Sequence, residues 1–218
     1  MPGTRGAGLL EGFLAAQRSR MADRLVPPAS RKGRILDIGC GTPPVFLIQT
    51  RFFEKYGLDK RSPSVPKPAG GMPGLTLIRH DFDENTRLPF EDSFFDVVSM
   101  LAVIEHIRPE KVVPLLRQIL RILKPGGMFL LTSPAPWAAG LLRSMARLGL
   151  VSSVEIGDHK ARYDGPAMVA LLREAGFRGE GVRFGYFELF MNLWVSARKA
   201  PYPRSKSRGR ITTFLMGP

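Results

Sequence analysis

The segment Arg34-Ile35-Leu36-Asp37-Ile38-Gly39-Cys40-Gly41-Thr42 joins a short apolar run to a glycine-rich turn. A strand that ends in such a turn lets the backbone approach a ligand closely and aims the next helix at it. Asp59 stands twenty residues after Gly39, where an acid can bind ribose hydroxyls. Pro44 occupies the place of the third glycine of a dinucleotide-binding turn. The segment therefore predicts a nucleoside-binding fold and leaves nicotinamide and other nucleoside cofactors open.

Short apolar runs alternate with amphipathic helical segments along most of the chain. This alternation predicts an α/β fold with a mostly parallel sheet, and the closely spaced last two strands indicate an antiparallel hairpin at one edge. We expect helices over residues 9–26, 109–123 and 166–175, and an insert or lid over about 135–165. Seven strands are expected. One ends at residue 59, and the others lie at residues 34–38, 75–78, 95–101, 128–132, 182–188 and 189–197.

The 218-residue chain is strongly basic, because 32 Lys+Arg against 19 Asp+Glu give a formal charge of +13. Such a charge attracts anionic partners, including nucleic acid and anionic membrane, without selecting one of them. The length predicts one domain over residues 1–200, followed by a basic flexible tail over 201–218. A single cysteine excludes an internal disulfide, and the apolar residues before Glu11 are too few for a signal peptide. We therefore expect a cytoplasmic protein.

Five motifs follow one another along the chain. They are Asp37-x-Gly39-x-Gly41, then Asp59, then Asp81, then Leu88-Pro89-Phe90 before the strand at 95–101, and last Leu123-Lys124-Pro125-Gly126-Gly127. Together they resemble a class I S-adenosylmethionine-dependent methyltransferase, similar to methyltransferase type 11, over roughly residues 34–133 and more loosely to 199. The resemblance implies a Rossmann-like, doubly wound sheet and S-adenosyl-L-methionine as the cofactor. The run Thr42-Pro43-Pro44 departs from the commonest family pattern and removes two N–H donors near the methionine moiety.

The resemblance also implies which residues contact the methionine and ribose parts of the cofactor. Gly39 and Gly41 would lie against both parts, and Asp37 would orient the cofactor's amino group. Asp59 would accept hydrogen bonds from the ribose hydroxyls.

The adenine and the methionine side chain would be held by residues that follow the third and fourth strands. Asp81 would accept from the adenine amino group, with the backbone of Phe82 nearby. Leu101 and Ala102, at the end of the fourth strand, would line the methionine side.

Candidate acceptor-site residues lie in two later loops. Glu105 and His106 follow the fourth strand and are candidate catalytic groups, because histidine titrates near neutrality and a hydroxyl acceptor needs a base. The alternative is that both only cap the following helix and hold the loop. In the family that the sequence resembles, the connection after the fifth strand commonly covers the acceptor, so His159, Arg162 and Tyr163 are candidate substrate contacts. An ordinary solvated loop is the alternative there.

The insert carries one strongly amphipathic helical segment. Leu141, Leu142 and Leu148 share one face, while Arg143 and Arg147 lie four apart on another. A lid packed on its own domain is the favoured interpretation, and peripheral membrane contact or an amphiphilic acceptor is the alternative.

Missing motifs narrow the function further. No Asn/Asp-Pro-Pro-aromatic run follows the fourth strand, and Cys40 is the only thiol, so two routes to base methylation are disfavoured. Clustered cysteine and histidine ligands are also missing, so we expect no metal. The sequence predicts methyl transfer to an oxygen or nitrogen of a small-molecule or lipid- or sugar-linked acceptor. The rivals are a non-catalytic protein that binds RNA or an anionic membrane, and an NAD(P)-dependent oxidoreductase.

Overall fold

The fold is built around a mixed sheet. The computed structural model describes residues 10–62, 67–68, 74–82, 84–151 and 160–201. The strands are β1 (Arg34–Ile38), β2 (Glu54–Asp59), β3 (Lys67–Pro68), β4 (Leu75–Arg79), β5 (Phe95–Leu101), β6 (Leu123–Pro134), β7 (Val182–Phe187) and β8 (Asn192–Arg198). They lie in the order β3-β4-β2-β1-β5-β6-β8-β7. The five neighbouring strands β4, β2, β1, β5 and β6 are parallel. β8 is antiparallel to β6, and β7 is antiparallel to β8.

The predicted Rossmann-like fold is therefore confirmed, including the antiparallel hairpin at one edge. All seven predicted strands are present, and the eighth, β3, is a two-residue strand that pairs with β4. The hairpin differs in detail, because residues 188–191 form the turn that was predicted as strand. The predicted tail lies almost wholly outside the described residues, so its flexibility stays a prediction.

Helices cover both faces of this sheet. They are α1 (Glu11–Leu25), α2 (Val45–Gln49), α3 (Pro109–Ile122), α4 (Ala139–Arg147) and α5 (Gly165–Glu174). Short 3-10 turns stand at Pro28–Lys32, Ile104–His106, Pro136–Ala138 and Gly179–Gly181. Among the described helices, none has the length and apolarity that crossing a bilayer would require.

Alternate residues of the central strands supply two separate hydrophobic clusters. In β1, Leu36 and Ile38 belong to the cluster that includes α3 and α5, whereas Ile35 belongs to the cluster that includes α1 and α2. Successive strand side chains point to opposite faces, so a strand buried on both faces is apolar throughout. This is why the run before the glycine turn could be identified as a central strand.

An aromatic cluster closes the end of the sheet opposite the glycine turn. Phe95 is fully buried, and its ring lies 5.4 Å from that of Tyr56, 4.7 Å from that of Phe90 and 4.9 Å from that of Phe94, centroid to centroid. All three pairs are edge-to-face, an arrangement that contributes beyond the buried area alone.

We predict that Phe95→Ala lowers the free energy of unfolding by about 3–5 kcal/mol, because it opens a cavity in this cluster. The matched control is Phe53→Ala, which truncates a side chain that is 73% exposed. It should change stability by less than about 0.5 kcal/mol. Urea denaturation of both variants gives the comparison, and equal losses would contradict the assigned packing.

Candidate active site

The carboxyl ends of the parallel strands border a cleft of about 330 Å³. Strand order reverses between β1 and β5, and ligands of open α/β sheets bind in the crevice at such a switch point. Leu14 of α1 and Leu142 of α4 also line the cleft, so these helices contribute to its walls. The eight predicted cofactor residues all line it: Asp37, Gly39, Gly41, Asp59, Asp81, Phe82, Leu101 and Ala102.

The glycine turn after β1 takes a conformation that a side chain would oppose. Gly39 and Gly41 both have φ of +71°, in the left-handed region that glycine adopts without a steric penalty. A Cβ atom on Gly39 would also stand 2.4 Å from Cγ2 of Val103. The amides of Gly39 and Cys40 both donate to the carbonyl of Leu58, at 2.7 and 3.2 Å. The turn is therefore fixed against the end of β2.

Asp59 links that turn to the loop after β2. Its Oδ2 accepts from the amide of Gly41 at 3.0 Å, and its Oδ1 accepts from the amide of Arg61 at 2.9 Å. A carboxylate oxygen has two lone pairs, so each oxygen can still accept from a ligand hydroxyl.

Asp37 is a buried acid at the floor of the cleft, with 3% of its surface exposed. The hydroxyl of Ser99 on β5 lies 2.7 Å from Asp37 Oδ1, to which it donates, and 3.2 Å from the carbonyl oxygen of Leu36. This contact fixes the carboxyl group between the two central strands.

The single cysteine, Cys40, lies within the same turn and is 6% exposed. Burial raises the pKa of its thiol well above the usual range, and the carboxylates of Asp37 and Asp59 act in the same direction. The thiol therefore stays protonated at neutral pH and is a poor nucleophile.

The aromatic ring of Phe82 lines the cleft next to Asp81. Phe82 is 7% exposed, and its ring lies 5.0 Å from that of His80. His80 Nε2 lies 2.8 Å from the carbonyl oxygen of Asn85, so the loop after β4 fixes this histidine. His80 also lines the cleft, although its sequence context gave no sign of this.

Glu105 and His106 occupy the 3-10 turn after β5, and both line the cleft. Glu105 is 2% exposed, and none of the described residues forms a hydrogen bond with its Oε2. Burial raises the pKa of Glu105, and the nearby charges of His106 and Arg18 oppose this rise only in part. Arg108 is the N-cap of α3, and no described side chain caps that helix, so Glu105 and His106 do not cap it.

The other predicted acceptor residues lie elsewhere or outside the described part of the chain. The amides of Lys160 and Ala161 donate to the carbonyl of Glu105, at 2.8 and 3.3 Å, which brings Lys160 to the cleft. Arg162 is exposed, and Tyr163 packs against the core cluster beside α5. Neither is among the described residues that line the cleft. His159 is outside the described residues.

Arg18 of α1 also lines the cleft, which its sequence context does not indicate. Its positive charge acts on two carboxyl groups whose pKa burial raises, those of Glu105 and Glu188. Glu188, in the turn between β7 and β8, also accepts from the side-chain amide of Asn192. The basic character of α1 was visible in the sequence, but its position over the cleft depends on tertiary packing.

A family model described as methyltransferase domain matches residues 10–180 of the chain. The chain belongs to this methyltransferase family. The resemblance to class I S-adenosylmethionine-dependent methyltransferases is thereby confirmed, and with it the cofactor of the class. Within the described residues, no group of three or more His, Cys, Asp and Glu side chains could hold a metal ion.

Relatives of this methyltransferase act on different acceptors. It is 27% identical to a tRNA N(3)-cytidine methyltransferase of Gallus gallus over 130 residues, covering 54% of this chain and 35% of that one. It is 32% identical to phthiotriol/phenolphthiotriol dimycocerosates methyltransferase 1 of Mycobacterium ulcerans over 125 residues, covering 52% and 44%. The chain thus spans less than half the length of these curated relatives.

A solved SAM-dependent methyltransferase from Archaeoglobus fulgidus shares the fold of this chain. Its TM-score is 0.64 at 18% identity, covering 87% of this methyltransferase and 97% of that one.

Burial of Glu105 predicts a specific pH dependence of stability. Its pKa in the folded chain lies above the ordinary value of 4.5, so the folded state keeps a proton that the unfolded state has lost. The Glu105 contribution to the free energy of unfolding therefore falls as pH rises from about 4.5 through the folded pKa. We predict that the free energy of unfolding of Glu105→Gln increases relative to that of the wild-type protein as pH rises through this range.

Urea denaturation at a series of pH values between about 4 and 8 measures the difference. The control is Glu110→Gln, which also removes one carboxylate but from an exposed site on α3. A Glu105→Gln difference that is flat with pH, or that parallels the control, would contradict the burial argument.

Proposed function

We propose that the chain transfers the methyl group of S-adenosylmethionine to an oxygen or nitrogen of a small-molecule or lipid- or sugar-linked acceptor. The observation that carries this proposal is the convergence of all eight predicted cofactor residues on one cleft. The cleft volume of about 330 Å³ is within the range of small-molecule sites.

The residues in the cleft suit the chemistry of this cofactor. Asp59 would accept from the ribose hydroxyls, and Asp37 would balance the positive charge of the methionine amino group. The turn would let backbone contact the ligand at Gly39 and Gly41, since neither residue carries a side chain. Phe82 would pack against the adenine ring, whose amino group would donate to Asp81.

Glu105, His106, Arg18 and Lys160 would form the acceptor half of the cleft. Glu105 Oε2 has no hydrogen-bond partner within the described part of the chain, which favours an acceptor that donates a hydrogen bond, because a buried carboxyl oxygen left unsatisfied costs free energy. A hydroxyl and an amine both have such a donor. His106 would take the proton that the acceptor releases, and its position beside Glu105 supports this role.

When bound, S-adenosylmethionine supplies a methyl group activated by its sulfonium charge. The protein then has to hold the acceptor atom in line with that methyl group and exclude water. Leu14, Leu142 and Val151 provide an apolar side to the cleft, which supports exclusion of water and binding of an acceptor with an apolar portion.

The relatives do not select one acceptor class. The mycobacterial relative is named for a lipid acceptor, which supports a lipid-linked substrate, and the tRNA relative keeps nucleic acid as a less favoured possibility. A nicotinamide cofactor is disfavoured by Pro44, which replaces the glycine that closely packs helix and strand in dinucleotide sites. Cytoplasmic location stays a prediction.

We predict that Asp59→Ala weakens binding of S-adenosylmethionine and S-adenosylhomocysteine about 10- to 100-fold, through loss of charge-assisted hydrogen bonds. Asp59→Asn keeps an acceptor oxygen for the amide of Gly41 and should lose less. Calorimetric titration measures both, with Glu110→Ala as a control at an exposed acid. Saturable binding of NADH in place of S-adenosylmethionine would contradict the assigned cofactor.

His106→Ala separates catalysis from cofactor binding. It should leave S-adenosylhomocysteine affinity nearly unchanged and lower turnover about 10²- to 10⁴-fold for a hydroxyl acceptor, because the base is lost. Release of S-adenosylhomocysteine in a panel of phenols, amines, glycolipids and phospholipids gives the turnover. Loss of cofactor affinity equal to that of Asp59→Ala would refute this division of roles. RNA binding without cofactor binding would favour the non-catalytic rival.

A further inference from the structure

Five large apolar side chains beside the cleft are exposed to solvent. The apolar rim comprises Trp137 (57% exposed), Leu141 (45%), Leu148 (73%), Leu189 (84%) and Phe190 (68%). Single exposed apolar residues are ordinary, but adjacent ones mark an interaction surface. Two elements form the rim: the segment around α4, and the turn between β7 and β8.

Two hydrogen bonds join these two elements. The indole Nε1 of Trp137 donates to the carbonyl of Phe190 at 3.1 Å, and the amide of Ala135 donates to the carbonyl of Met191 at 2.8 Å. Trp137 and Phe190 therefore belong to one continuous surface.

The turn carries its apolar residues in an unfavourable backbone conformation. Glu188, Leu189 and Phe190 have φ of 50°, 54° and 65°, in the left-handed region that costs non-glycine residues free energy. The Asn192 side chain donates to Glu188, and the Met191 amide donates to the Glu188 carbonyl at 3.0 Å, so local bonds hold the turn. Strain retained where two of the most exposed apolar side chains project into solvent favours a role for them.

Aromatic rings continue the rim along the exposed face of β7. The ring of Phe190 lies 6.4 Å from that of Tyr186, which lies 6.5 Å from that of Phe184. Tyr186 is 37% and Phe184 42% exposed. Tyrosine and tryptophan are favoured at membrane–water interfaces, because each combines an apolar ring with one polar group.

The α4 side of the rim is positively charged, whereas the turn contributes one acid, the half-buried Glu188. Residues 134–151 contain no Asp or Glu, and Arg143 and Arg147 of α4 are both exposed. The whole chain has a formal charge of +13. A second copy of this surface would present the same positive charge, so charge complementarity favours an anionic partner over self-association.

We propose that the apolar rim docks on the surface of an anionic lipid bilayer, with Leu189, Phe190 and Trp137 inserted among the headgroups and Arg143 and Arg147 binding lipid phosphates. α4 has nine residues, so it lies on the bilayer rather than in it. Leu142 of the same helix lines the cleft, while Leu141 belongs to the rim. α4 therefore separates the cleft from the docked membrane.

Vesicle sedimentation of the full chain tests this proposal. Vesicles of phosphatidylcholine with phosphatidylglycerol should pellet the wild-type protein at low salt, and phosphatidylcholine alone should pellet far less. The double variant Leu189→Ser, Phe190→Ser should bind at least about tenfold more weakly, because it removes inserted apolar surface. Phe53→Ser changes an equally exposed aromatic residue outside the rim and should bind like the wild-type protein.

Fluorescence gives a second readout that identifies the inserted face. Binding should shift the emission of Trp137 to shorter wavelength, and Trp137→Phe should abolish the shift while Trp194 remains. Arg143→Glu with Arg147→Glu should remove the preference for anionic vesicles. S-adenosylhomocysteine titration of each variant checks that the fold is intact.

Three results would overturn the proposal. Wild-type protein left in the supernatant is the first. Equal binding by the rim double variant and the wild-type protein would assign the binding to other charges, such as the basic residues of 201–218. A rim variant that alters oligomeric state in light scattering, without any vesicle binding, would make this face an interface between copies.

Discussion

The hydrogen bond from the amide of Gly41 to the carboxylate of Asp59 fixes the relation between the first two strand ends. It holds the glycine turn in the left-handed conformation and leaves the remaining lone pairs of Asp59 toward the cleft. Because Gly39 has no side chain, Val103 packs closely against it. This contact positions the following 3-10 turn, which carries Glu105 and His106, beside the cleft. This bond, with those from Gly39 and Cys40 to the carbonyl of Leu58, thus relates the glycine turn to the turn that carries Glu105 and His106.

Charged side chains of both signs line the cleft. Asp37, Asp59 and Asp81 would suit the positive charges on the sulfonium and amino groups of the proposed cofactor, while Lys60 and Arg61 line the cleft beside Asp59. Near Glu105, the positive charge of Arg18 opposes the effect of burial on the pKa of that carboxyl group. A ligand beside Glu105 would change both its solvation and its hydrogen bonds, so the ionisation of Glu105 would depend on what occupies the cleft.

Local sequence pattern was sufficient to predict the central strands, which are buried on both faces and therefore apolar throughout. The apolar run of β1 and the alternation of strands and helices predicted the parallel sheet. The motifs that follow the strands, through the family they resemble, led to eight residues that all line one cleft. Three features depend on tertiary contacts and had no local signal. Arg18 reaches the cleft because α1 packs over it, Tyr163 packs on the core as the chain enters α5, and the turn at residues 188–191 lacks glycine, proline or asparagine at the positions of positive φ.

Cys40 gives the molecule a chemical label that needs no engineering. It is the only cysteine of the chain, it lines the cleft, and its thiol is buried within the glycine turn. A thiol-selective reagent that labels the protein has therefore reached the glycine turn, and it reacts slowly while the thiol is protonated. At a fixed pH, the labelling rate reports how accessible this turn is, and a ligand lying against the turn would lower it.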